Sequence, residues 1–315
     1  MTEPLAKPLV ESGGVGFAGA INRSIADFVQ RSKTRLLSYL LIGVSQLLIN
    51  SANADLKPLW ELSVGGGAIR IPYYRGASSS QRYLFPFLLP VYRGQFLQVD
   101  DNGVRGKLFA SSSMKLELSA DANIPARSSQ IPERRGMPNQ PATLQLGPSL
   151  AIKLWSKSNQ SLVATLPVRG VFTVDHGVGS AGMTLSPQVT YYRDLLSTPQ
   201  PWRLGLTAGL EFGSSRFHNY YYSVAPQFAT PYRSAYQASA GFAGSRFVAT
   251  LRHDVANYRI SFFARFDDLN DAVFANSPLV GSQTNWTAGI VMTWTLFKSR
   301  TMVAHAHPGI FTNEQ

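Results

Sequence analysis

Alternation with a period of two, sustained over about ten residues at a time, is the feature of this chain that most restricts its fold. From Met114 to Ala122 the even positions are Met114, Leu116, Leu118, Ala120 and Ala122, and the odd ones are Lys115, Glu117, Ser119 and Asp121. The pattern returns as Trp202, Leu204, Leu206, Ala208, Leu210 and Phe212 against Arg203, Gly205, Thr207, Gly209 and Glu211. It returns again as Tyr258, Ile260, Phe262, Ala264 and Phe266 against Asn257, Arg259, Ser261, Phe263 and Arg265, and as Trp286, Ala288, Ile290, Met292, Trp294 and Leu296. Successive strand side chains point to opposite sides of a sheet, so these are amphipathic strands. Strands of soluble sandwiches average about five or six residues, whereas segments of about ten match a tilted membrane crossing. Many end in aromatics (Trp60, Tyr83, Tyr92, Trp155, Tyr191, Trp202, Phe212, Phe266, Trp286, Trp294), which suits the interfacial girdles of a membrane barrel. Open strand edges strand backbone polar groups in hydrocarbon, so the sheet must close.

Composition agrees. Charged residues make up 15% of the 315, against about 25% in soluble domains; half of every strand faces lipid, where a cation at the midplane costs about 2–4 kcal/mol. Hydrophobic content stays at an ordinary 44%, because a barrel wears its apolar half outside and fills its lumen with polar groups. The absence of cysteine excludes disulfides, thiolate zinc sites and cysteine nucleophiles, and 36 aromatics exclude a disordered chain.

Residues 31–54 read as a secretory signal peptide: cations Arg31, Lys33 and Arg35, an apolar stretch from Leu36 to Ile49, then Ala52-Asn53-Ala54. That stretch is too short and too polar for a membrane helix, which needs about 20 residues. Cleavage is expected after Ala54. Residues 1–30 precede the cationic region without periodicity and are read as an unused upstream start or a long signal extension. Removing 1–54 takes five cations and three anions from the 29 and 18 of the whole chain, so a formal charge of +11 becomes 24 minus 15, or +9.

Twelve strands are predicted, at 60–69, 83–92, 95–100, 104–109, 114–123, 143–154, 161–173, 182–193, 202–213, 236–252, 258–267 and 284–297. The fold class is thus all-β, a transmembrane antiparallel up-and-down β-barrel of about 12 strands, with ten or fourteen as alternatives because 95–100 and 104–109 are short. An even count puts both termini on the periplasmic side. Short connections (Arg93-Gly94, Ala110–Ser113, Ser156–Gln160, Leu195–Pro201, His253–Asn257) are then periplasmic, and long ones (Pro72–Arg82, Ile124–Ala142, Val174–Ala181, Ser214–Ala235, Asp268–Thr284) external. Asp101-Asn102-Gly103 is a tight outer turn of hairpin type. In 236–252 the apolar parity switches between Phe242 and Phe247, which predicts a bulge near Gly244-Ser245. The barrel runs over 55–297, and 298–315 is a polar tail without strand pattern.

A series of segments carries a resemblance. They are Ile71-Pro72-Tyr73-Tyr74-Arg75-Gly76; Tyr92-Arg93-Gly94 followed by Asp101-Asn102-Gly103-Val104-Arg105-Gly106; Arg135-Gly136-Met137-Pro138 leading into Leu146-Gly147-Pro148-Ser149; Leu185-Ser186-Pro187; Ser215-Arg216-Phe217-His218-Asn219-Tyr220 with Ala235-Tyr236; and Asp267–Leu279, containing Ala275-Asn276-Ser277-Pro278-Leu279. In order and spacing they resemble the MipA/OmpV family of outer-membrane proteins over Trp60 to Phe297. The chain departs from such barrels in continuing for eighteen residues beyond Phe297, the aromatic that would end the last strand. The resemblance implies location in the cell outer membrane and a non-enzymatic role as a scaffold for a murein lytic transglycosylase and a bifunctional penicillin-binding protein. It brings no residue-level binding motif.

Candidate chemistry is sparse. The histidines are His176, His218, His253, His305 and His307. Asp175-His176 and His253-Asp254 are neighbours, and strand neighbours point to opposite faces, so neither is a ready dyad. His218 lies in the aromatic run Phe217–Tyr222 and is read as loop packing or ligand contact. His305-Ala306-His307 has the spacing of a metal pair but no carboxylate ligand close by. Gly65-Gly66-Gly67 lacks the spacing of a phosphate-binding loop and instead permits a bend or close packing in the wall. No catalytic, cofactor-binding or metal-ligating residue is assigned, and no cofactor. The scattered cations form no stripe for nucleic acid. Inward Arg203, Arg259, Arg265, Lys115 and Lys153 are expected to pair with Glu117, Asp121, Glu211 and Asp267. Loop cations Arg75, Arg82, Arg134, Arg135 and Arg233 are expected to meet outer-membrane lipid and lipopolysaccharide phosphates. Alternatives to the scaffold are a small-solute channel preferring anions and, third, an adhesin or a lipid-hydrolysing barrel.

Overall fold

The computed structural model describes residues 55–100, 103–174, 177–195 and 201–305. Residues 1–54, which include the signal-peptide reading, and Asp101-Asn102, Asp175-His176 and His307 lie outside the described residues. Among the described residues fifteen strands are present: β1 (Asp55–Pro58), β2 (Trp60–Pro72), β3 (Ser80–Arg93), β4 (Leu97–Asp100), β5 (Gly103–Ala110), β6 (Met114–Asn123), β7 (Ala142–Lys157), β8 (Gln160–Val174), β9 (Val178–Leu185), β10 (Gln188–Leu195), β11 (Trp202–Gly213), β12 (Gly241–Val255), β13 (Tyr258–Asp268), β14 (Thr284–Lys298) and β15 (Met302–His305). Among the described residues one α-helix, α1 (Ser215–Tyr222), lies between β11 and β12.

All but β1 and β15 form one antiparallel sheet that closes on itself through β14–β2 at one point and through β8, β9, β10 and β11 at another. β9 pairs with Val168–Val174 of β8 and β10 with Gln160–Thr165 of the same strand, so β9 and β10 are two halves of one stave and the barrel has twelve. The break falls at Ser186-Pro187, because Pro187 has no N–H to give the ladder. The predicted strand 182–193 is therefore longer and interrupted, running from Val178 to Leu195, and the external loop expected over Val174–Ala181 is cut to the residues 175–177 between β8 and β9.

Parity follows the sequence. Leu206, Phe247, Phe262, Trp286 and Ile290 stand exposed on the outer wall, while Glu211, Asp267 and Thr293 are buried within. The expected bulge is present: Leu210 pairs with Ser245 and Phe212 with Phe242, so two residues oppose one. Gly244 sits there at φ +104, a conformation open to glycine and strained for residues with a Cβ. The triglycine also acts as close packing. A Cβ at Gly65 would lie 3.0 Å from the Phe87 ring and one at Gly67 3.1 Å from the Phe85 ring, so the glycines make room for lumen aromatics.

Two expectations are corrected. Strand 236–252 starts only at Gly241; Tyr236 bridges to Val224 instead, and the Asn219 amide holds the Ala238 backbone at 2.8 and 3.0 Å. The alternation of Tyr236, Ala238 and Ala240 thus serves loop packing. The polar tail also contains a strand: β15 pairs with β1 in a separate two-stranded ribbon, Asp55↔His305 to Pro58↔Met302.

A buried apolar cluster lies outside the barrel wall proper. Tyr74 and Ala77 (loop 73–79), Ala126 and Ile131 (loop 124–141), Tyr222 and Ala238 (loop 214–240), and Leu269, Ala272 and Phe274 (loop 269–283) pack together with Ala243 of β12. Loops 124–141 and 269–283 leave the barrel six staves apart, on opposite sides, so the loops meet across its mouth as a cap.

Candidate functional site

The cap and the lumen beneath it are where polar chemistry gathers. Helix α1 starts at Ser214, whose Oγ accepts from Phe217 N at 3.3 Å, an N-cap that satisfies one orphan donor. His218 and Tyr222, four apart, share the buried face of α1. Tyr222 stacks on Phe274 at 3.6 Å, and His218 meets the same ring edge-on at 4.9 Å. His218 is fully buried; its Nδ1–H donates to Ser239 O at 2.6 Å and its Nε2 has no partner. Burial holds its pKa down to about 4, with Arg75 adding to the effect and the Ser239 bond opposing it, so the ring is neutral at pH 7. Burial likewise raises the Tyr74 and Tyr222 phenols; their hydroxyls donate to Leu279 O and Arg75 O at 2.5 and 2.8 Å. This histidine packs the cap and is not an exposed general base.

Several loop cations turn inward, correcting the expectation that they face lipopolysaccharide. Arg75 binds Asp267 at 2.9 Å. Arg134 is buried and donates to Tyr221 O at 3.1 Å and to Ser128 Oγ at 3.4 Å. Arg233 donates to Glu133 O and Arg135 O at 3.0 Å each and to Phe228 O at 2.8 Å, stapling two loops. A guanidinium fork satisfies several carbonyls at once, and a buried loop carries many. Arg82 and Arg135 remain exposed.

At the upper lumen, Asp267 is fully buried and receives Arg265 at 2.6 Å, Arg75 at 2.9 Å and Arg246 at 3.5 Å. Arg246 also meets Glu211 at 3.0 Å, and Glu211 accepts from Ser186 Oγ at 2.9 Å. Lys115 pairs with Glu117 at 3.2 Å as expected. Arg203 and Arg259 instead take Asp194 and Asp254 at 2.7 and 2.6 Å, two carboxylates the sequence reading left out. Each is reachable by parity alone: Asp194 lies opposite Arg203 and Asp254 opposite Arg259. Asp121 bonds its neighbour's N–H at 2.8 Å. Between cap and charge network lies a cavity of about 230 Å³, bordered by Gln81, Asp121, Arg169, Glu211, Arg246 and Tyr221 among others.

The other histidine pair is separated as parity requires. His253 stacks on Trp202 at 4.6 Å on the outer face, whereas Asp254 points inward to Arg252 and Arg259. Among the described residues no group of three His, Asp or Glu side chains is placed to hold a metal.

A closed twelve-stave antiparallel barrel, apolar outside, charged within and capped by its long loops, defines an outer-membrane β-barrel. Residues 64–296 match the family described as MltA-interacting protein MipA, and the chain belongs to that family. Among solved structures, it is similar to the outer membrane protease OmpT from Escherichia coli at 7% identity and TM-score 0.27, covering 78% of this chain and 99% of that one. It is also similar to the outer membrane protein OprG from Pseudomonas aeruginosa, at 11% identity and TM-score 0.20, covering 76% and 94%. A comparison with curated proteins finds no match.

Proposed function

We propose that this barrel is a non-enzymatic scaffold for murein enzymes, binding a lytic transglycosylase and a bifunctional penicillin-binding protein from its periplasmic end. The observation that carries the reading is the cap. Four loops lock into one buried core across the mouth, which opposes axial conduction of anions and leaves the short-turn end as the free face. Long loops are external and short turns periplasmic in barrels of this kind, so the free face is the one turned toward murein. The family's name points to the same class of partner. The ribbon of β1 and β15 stands at that end beside the last stave, with Leu56 and Met302 exposed on it. In this reading residues 31–54 are removed after Ala54, and sequencing of the mature N-terminus checks it: a start before Asp55 overturns the cleavage site. Arg82 and Arg135 are the cations left to meet lipopolysaccharide phosphates. Planar-bilayer recording combined with affinity capture tests the function. Silence together with capture of a lytic transglycosylase supports the scaffold; steady anion-selective current without capture refutes it.

A further inference from the structure

β3 pairs with β2 from Ser80 to Tyr92 but with β4 only at Tyr92 and Arg93. On the far side of the β4–β5 hairpin, β6 pairs with β5 from Lys115 to Ser119 and, among the described residues, no further. Among the described residues the wall above that short hairpin therefore has a seam, bordered by Arg82–Val91 of β3 and Ala120–Asn123 of β6. Two hydrogen bonds fix which backbone groups of β3 face it: Arg93 N–H donates to Leu59 O, on the β2 side, at 2.7 Å, and Gly94 N–H to Leu97 O, on the β4 side, at 3.0 Å. Backbone direction alternates along a strand, so the even residues of β3 aim at the seam. Pro86 and Pro90 are both even. Proline has no N–H, so two donors that an open edge would strand in hydrocarbon are removed by the sequence. Edge prolines also resist the addition of a further strand, which favours an opening over an interface.

From Leu84 to Val91 the side chains on both faces of this edge are apolar. Leu84 and Leu88 stand outward, 87% and 66% exposed, and Phe85 points inward yet stays 36% exposed beside Phe87. The 230 Å³ cavity touches the β6 border of the seam at Asp121–Asn123 and reaches β3 at Gln81, the residue next to its other border. Inside it Arg169 donates to Ser119 Oγ at 3.1 Å and meets no carboxylate among the described residues, whereas Arg75, Arg246 and Arg265 share Asp267 and Glu211. Four arginines (Arg75, Arg169, Arg246 and Arg265) thus stand against Asp121, Glu211 and the adjoining Asp267, which leaves the cavity one positive charge in excess, and Arg169 is the arginine there without a carboxylate contact. The volume is below that of sites for drug-sized ligands, about 300 Å³ upward.

We propose that the seam is a lateral portal through which a single-chain anionic amphiphile passes from the membrane, its head on Arg169 and its tail across the β3 edge at Leu84, Phe85 and Leu88. This is independent of the scaffold reading, whose partner capture it leaves unchanged. The full chain in liposomes is photolysed with a dodecanoic acid carrying a terminal diazirine, and the adducts are mapped by mass spectrometry. Expected are adducts on 81–91 and 119–124, displaced by excess dodecanoate or dodecyl phosphate but not by dodecyltrimethylammonium. Arg169→Gln is expected to weaken displacement by about tenfold, the order of one charge-assisted hydrogen bond, and Arg169→Lys to restore most of it. A head preference between carboxylate and phosphate separates free fatty acids from phosphorylated lipids as the source. Adducts spread around the outer belt at Leu206, Phe262 and Trp286 would overturn the portal, as would seam labelling indifferent to head charge, a readout that needs no variant.

Discussion

His218 makes the cap sensitive to acid, and the size of the effect follows from its surroundings. Free histidine titrates near 6.5, and the buried ring of His218 near 4. A depressed histidine pKa means that the open cap binds the extra proton first. The stabilisation is therefore complete above pH 6.5, declines as pH falls, and is exhausted below the folded value. The whole interval is worth about 3 kcal/mol at 1.36 kcal/mol per pH unit, and at pH 5 about 2 kcal/mol has been lost. The packing explains why the proton is excluded: Nδ1 is already committed to Ser239 O, and Nε2 lies buried against Gly213 of β11 with no hydrogen-bond partner. Hydrogen exchange read by mass spectrometry, corrected for the intrinsic pH dependence of amide exchange, follows the cap locally. Protection over 215–224 and 269–281 is expected to fall about thirtyfold between pH 7.5 and 5, with strand β13 as the internal reference. In His218→Asn, which keeps a donor toward Ser239 O, the pH-dependent part should vanish although basal protection is lower. Equal protection at the two pH values in the native chain would refute the reasoning.

Three further outcomes follow. Asp267→Asn leaves Arg75, Arg246 and Arg265 with Glu211 as the remaining carboxylate and should cost about 3–5 kcal/mol; the urea midpoint of the folded-to-unfolded gel shift in detergent reads this. A side chain at Gly289 meets the Phe263 ring, 2.5 Å from the Cβ position; Gly289→Leu should cost about 1–3 kcal/mol by overpacking, and Phe263→Ala should relieve part of it in a double-mutant cycle. Arg233→Ala removes the staple between loops 124–141 and 214–240. Trypsin should then cleave these loops faster at pH 8 while the barrel keeps its gel shift.

The barrel was legible because parity is a short-range property. Lys115, Glu117, Arg259 and Arg265 declare the inner face from sequence alone, and the switch between Phe242 and Phe247 locates the bulge at Gly244. The cap was not legible, because its contacts join residues far apart in the chain: Tyr74 to Leu279, Arg134 to Tyr221, Arg75 to Asp267. Loop arginines look like surface charge in a sequence, and nothing local tells that a loop folds back to bury them. Serine at 214 as an N-cap and the spacing of four between His218 and Tyr222 were signals for α1 that its aromatic content obscured. The ribbon escaped for a related reason. A four-residue strand such as Met302–His305 has no periodicity to read, and its partner Asp55–Pro58 lies at the opposite end of the barrel sequence.

The scaffold reading stands or falls on which end of the barrel touches murein enzymes. A photo-crosslinking amino acid placed in living cells at Met302, on the ribbon, and separately at Tyr232, 97% exposed in the cap loops, asks this directly. Adducts to a lytic transglycosylase from position 302 and none from 232 are the predicted result. Adducts from 232 alone, or none from either position while an anion current is recorded, would contradict it.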